Sequence, residues 1–171
     1  MLNVGSVRAA RRLAVPAQDR ILRDHETSPP TPVEMFEAAA ANIVALYRRI
    51  GSATLFDNAW RVLPADQHRR LWRGPGERSI VAIIDLADGR SVAVASDFGM
   101  DTPHWVVCRL ETVPNGSTDP IDREFRLVED PAEVPVYGTS LALLLDAALD
   151  SGGDITHLET GRLDQLDSLT P

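Results

Sequence analysis

The chain contains no lysine; all 17 basic residues are arginine. This excludes Schiff-base chemistry on lysine and a P-loop lysine. Cysteine is nearly absent too, with Cys108 alone. An internal disulfide is therefore excluded, and a cysteine-built zinc site has too few ligands. A reducing, cytoplasmic setting fits that usage. Long hydrophobic runs are also missing. The longest are broken by charge within about ten residues, too short to span a bilayer. No N-terminal segment has the apolar stretch of a signal peptide.

What remains has a globular composition: 44% hydrophobic and 25% charged residues over 171 positions. That length suits one domain with a real core. The net charge of -8 is unevenly spread. Residues 1–23 hold five arginines against one acid, whereas residues 101–171 hold fourteen acids against four arginines. Such an acidic body repels phosphate backbones, so no nucleic-acid partner is expected. It suits a basic protein partner, and it also serves solubility.

Residues 1–30 show no sustained periodicity and end in Ser28-Pro29-Pro30. They read as a mobile basic arm and linker. Met35 offers an alternative start. Thr31-Pro32-Val33-Glu34 has the cap, proline and glutamate of a helix start. Phe36, Ala40, Ile43, Tyr47 and Ile50 then form one apolar stripe, and Gly51 closes a helix over 33–50. Leu63-Pro64-Ala65-Asp66 predicts a second helix running to Trp72 or Arg73, stopped by Gly74-Pro75-Gly76.

Four strand-like segments follow: 79–86, 90–95, 105–112 and 124–128. Asp88-Gly89 marks a hairpin between the first two. A last helix covers 139–150, with Leu141, Leu144, Leu145, Ala148 and Leu149 inward, and Gly152-Gly153 ends it. The tail 154–171 reads as an acidic appendage. Grouped rather than alternating strands predict an α+β domain over 31–153: an antiparallel meander of about four strands with helices on one face.

Motifs for chemistry are few. Asp97-Phe98-Gly99 spells a kinase triplet, but without a glycine-rich loop or lysine it reads as a strand end. Cys108 and His104 stand four residues apart on a predicted strand, about 13 Å, too far for a nucleophile and its base. The valines and leucine beside Cys108 point to a buried structural thiol. His25, His68, His104 and His157 lack metal-ligand spacing, and the acids around the last strand lack the order of a calcium loop. No metal or cofactor is expected. Arg69, Arg70 and Arg73 would form a basic edge on the second helix, most simply a solvated face.

One pattern resembles the SUKH superfamily, which contains many bacterial toxin-immunity proteins. It rests on the order of Leu63-Pro64-Ala65-Asp66, the meander from Ser79 to Val128, and the helix from Thr139-Ser140-Leu141 to Leu149. It covers roughly residues 34–150. The aromatic-Asn-Gly segment of that superfamily is replaced by Gly74-Pro75-Gly76. The resemblance implies a non-catalytic protein that neutralises a toxin.

The expected function is therefore binding of a basic protein, a toxin if the resemblance holds, steered onto Asp119, Asp122, Glu129 and Asp130. Trp60, Trp72 and Trp105 are the anchor candidates wherever exposed. The alternatives are a small enzyme using carboxylates such as Asp85 and Asp97 at strand ends, and an adaptor whose arm orders on contact.

Overall fold

The computed structural model describes residues 17–30, 41–71, 79–96, 103–114, 116 and 124–166. Helix α1 (Ala17–Asp24) places Ala17 and Ile21 one turn apart on its buried side. Strand β1 (Glu26–Thr27) follows and pairs antiparallel with β2 (Ala53–Leu55). Helix α2 (Ala41–Tyr47) buries Ile43, Leu46 and Tyr47. Ser28 and Gly51 close this region: Gly51 N–H donates to the Ser28 carbonyl at 3.0 Å. A Cβ on Gly51 would lie 2.0 Å from the Pro29 carbonyl oxygen, so only glycine fits there.

Strand β2 turns into β3 (Trp60–Val62), and β4 (Arg69–Leu71) comes next. The central strands are β5 (Ser79–Leu86), β6 (Ser91–Ser96) and β7 (His104–Cys108). Then come β8 (Leu110–Val113), β9 (Glu124–Leu127) and β10 (Pro135–Val136). Helix α3 (Leu141–Ser151) precedes β11 (Gly161–Arg162). Ser140 caps α3 by accepting from Leu143 N–H, and left-handed Gly152 ends it.

The main sheet runs β1-β2-β3-β5-β6-β7-β10-β11, with β4 joining β5 beside β3; β8 and β9 form a separate ribbon. All pairings are antiparallel. The protein is thus α+β, with the three α-helices of the described residues on one face of the sheet. The helix-side core gathers Ile21, Leu46, Tyr47, Trp60, Ile83, Ile84, Trp105 and Leu144. The opposite face buries Leu71, Ile80, Ala82, Ala93, Val106, Cys108, Leu163 and Leu166, with Phe125 and Leu127 of the ribbon packed against them.

Several expectations change. Residues 17–30 are part of the folded body rather than of an arm, because fully buried Ile21 and the β1–β2 ladder tie them down. Residues 1–16 and 31–40, including the expected helix start, lie outside the described residues. The second helix is replaced by one 3-10 turn, Ala65–Gln67, and strand β4. Arg69 and Leu71 pair with Ala82 and Ile80, so a period of two prevails over the helix signal. The third strand breaks at Arg109, whose N–H goes to the Glu129 carboxylate at 2.9 Å. Beyond that break β8 crosses to the second face. Residues 154–166 of the tail are also built in: Leu163 N–H donates to the Val134 carbonyl at 2.9 Å, and Leu163 and Leu166 are buried.

Candidate functional site

Strand β5 carries a one-residue irregularity between Ala82 and Ile84. Alternation puts Ile80 and Ala82 on the second face and Val81 and Ile83 toward the helices. The bulge then keeps Ile84 on the helix side too. Everything after it changes face. Asp85, which strict alternation would send into the helix-side core, instead meets Ser91 and Arg61, its partners in neighbouring strands.

Asp85 is the hub of a polar cluster on the second face. Arg69 Nη1 donates to its Oδ2 at 3.2 Å, and Arg69 Nη2 donates to its Oδ1. Arg61 Nη2 reaches Oδ2 at 3.3 Å. The Ser91 hydroxyl donates to Oδ1 at 3.0 Å and accepts from Arg69 Nη2 at 2.7 Å. Burial opposes the Asp85 charge, but the bond and charge of Arg69, with Ser91 and Arg61, outweigh it. The carboxyl is held below its ordinary range. That is the reverse of what an acid catalyst needs.

Beside this hub lies a cleft of about 340 Å³. Its walls include Arg69, Asp85, Arg90, Glu111 and Thr112, with Leu86, Leu110 and Phe125 as apolar lining. It sits where the β5–β6 turn faces the β8–β9 ribbon. Arg90 is held by Asp88, and Glu111 by Arg126.

The other reactive groups are quiet. Cys108 is fully buried, and burial pushes its thiol up to about 12. His68, between the 3-10 turn and β4, is pushed down to about 4 by burial and by the Arg70 charge. His104 is buried at the start of β7, far along the strand from Cys108.

The predicted binding residues scatter. Glu129 and Asp130 are described. Glu129 accepts from Arg109 N–H, while Asp130 caps the 3-10 turn Pro131–Glu133 through Ala132 N–H. Asp119, Asp122, Trp72 and Asp97 lie outside the described residues. The exposure required of a tryptophan anchor fails for two candidates. Trp60 is 5% and Trp105 0% exposed, because both point from their strands into the helix-side core. Trp60 packs edge-on against Phe56 at 5.5 Å.

The β10–β11 pairing gathers acids that the sequence keeps apart. The turn Pro131–Glu133 packs against the turn Leu163–Gln165. Exposed Asp130 and Glu133 thereby join exposed Glu159 and Asp164 on one end of the molecule. Arg162 sits among them, bonded to the Glu133 carbonyl and paired with Glu159 at 3.0 Å.

Sequence reasoning missed Arg61, Ser91, Arg90, Glu111 and Phe125 as cleft or hub residues. The sequence carries no mark of the bulge, because Ile80-Val81-Ala82-Ile83-Ile84 is an unbroken apolar run in which no change of face can register. No family model, curated protein or solved structure matches this chain. Among the described residues, no helix is long and apolar enough to cross a membrane.

Proposed function

We propose that the chain is a non-catalytic protein-binding protein whose partner carries a basic surface. The observation that carries this reading is the acidic end, where Asp130, Glu133, Glu159 and Asp164 converge from two stretches about thirty residues apart. The reactive side chains support it from the other side. Asp85 is locked between two arginines, Cys108 is buried as a thiol, and His68 stays neutral near pH 7. The SUKH resemblance gives the reading its narrower form, a cytoplasmic immunity protein that covers a basic toxin.

Association rates test it, measured on a partner recovered from the native host. The on-rate should fall steeply with salt, because the Debye length shrinks from about 10 Å at 0.1 M to about 3 Å at 1 M. Replacing Glu133 and Glu159 by Gln and Asp164 by Asn should slow association while barely changing dissociation. These acids replace Glu129 and Asp130 as targets, since those two hold backbone N–H groups of the fold. An on-rate indifferent to both salt and the triple substitution would sink the reading.

A further inference from the structure

The cleft beside Asp85 is independent of the acidic end. Around it, Arg90 is matched by Asp88 and Arg126 by Glu111, and the Arg109 guanidinium donates to the Asp88 carbonyl. Arg61 and Arg69 differ, because they share the single carboxylate of Asp85. Among the described residues these two guanidiniums share one carboxylate, in a protein of net charge -8. The surplus is local and partly sheltered: the Arg69 side chain is only 26% exposed. A second planar carboxylate, meeting the guanidinium edge that faces the cleft, would complement the charge that Asp85 shares between two arginines.

The volume near 340 Å³ falls in the range of small-molecule sites. Leu110 and Phe125 give part of the lining an apolar character that a bare inorganic ion could not use. We propose that this cleft binds a small organic carboxylate, its head completing the coordination of Arg69 and its apolar body lying along Leu110 and Phe125. The bulge at Ile83 belongs to the site, since it delivers Asp85 to orient Arg69.

Nitrogen-15 NMR of the full chain tests this with three probes: benzoate, acetate and inorganic phosphate. Benzoate should shift the Arg69 Nε–H signal and the Leu110 and Phe125 amides saturably, with a Kd of roughly 1 mM or below. Acetate should bind about tenfold more weakly, for want of the apolar body. Phe125→Ala should remove most of that difference. Arg90→Gln, at a more exposed side chain, should weaken both carboxylates without disturbing the fold. Phosphate binding as tightly as benzoate would overturn the organic-carboxylate assignment. So would the absence of saturation by about 50 mM benzoate, or equal shifts at exposed Arg23.

Discussion

The Tyr47 hydroxyl and His68 Nε2 lie 2.7 Å apart, and the Tyr47 proton is already donated to the Leu63 carbonyl. His68 must therefore carry its proton on Nε2 and donate it to Tyr47. The contact joins α2 to the start of β4 and holds a neutral imidazole in place. With an ordinary value near 6.5 and a folded value of about 4, His68 takes up a proton more readily once unfolded. Stability should be fully present above about pH 6.5 and fall progressively as pH drops toward 4, by on the order of 3 kcal/mol. Urea denaturation at several pH values checks this. His68→Gln should flatten the slope within that window. Asp85, held below its ordinary range, adds a further loss only at more acidic pH.

The bulge gives a second prediction. Ile83→Val should cost about 1 kcal/mol, as an ordinary loss of one buried methylene. Deleting Ile83 should leave Asp85 on the second face, because Ala82 and Ile84 already pair with the consecutive residues Ala93 and Val92 of β6. Inserting one alanine between Ile84 and Asp85 should be far worse, because it would turn Asp85 into the helix-side core as an unpaired charge. Cooperative thermal unfolding should then be lost. Adding Asp85→Leu to the insertion should partly restore it. Equal stability of the insertion and the valine variant would show that the register of β5 does not set the direction of Asp85.

Helix α1 belongs to the core. Ile21→Ala should destabilise the protein by about 2–5 kcal/mol, since Ile21 is fully buried. A chain shortened to begin at Thr31 should lose cooperative unfolding, because both α1 and the β1–β2 ladder go with it. A shortened chain as stable as the parent would show that 17–30 merely rests on the surface.

Cys108 should resist alkylation in the native protein at pH 8 and react rapidly in denaturant, given its full burial and raised thiol. Cys108→Ser should cost about 1–3 kcal/mol, as a hydroxyl buried in the apolar cluster of the second face. Rapid labelling of the folded protein would contradict this burial.

The element types that rest on strict repeats were legible in the sequence. The β5–β6 hairpin with its Asp88-Gly89 turn and the leucine-rich α3 follow directly from spacing and caps. The failures share another cause. Short strands β1, β4 and β11 span two or three residues each, too few for any period to register, and they exist only because a neighbour offers a ladder. Trp60 and Trp105 were open as anchors because one sequence shows no burial. The cleft was invisible for a related reason. The arginines of the hub and the cleft come from β3, β4 and the β5–β6 turn, and only the change of face at Ile83 brings Asp85 to them.

That change of face also bears on how kinship across this fold is read. A relative built without the extra residue would share β5 on both sides of Ile83 but in opposite phase. Aligned without a gap, its core positions would fall opposite Asp85, and the two strands would look unrelated. A one-residue gap placed at Ile83 would bring the two halves back into step. In a strand of eight residues, the arrangement that builds the cleft is therefore also the place where ancestry is easiest to miss.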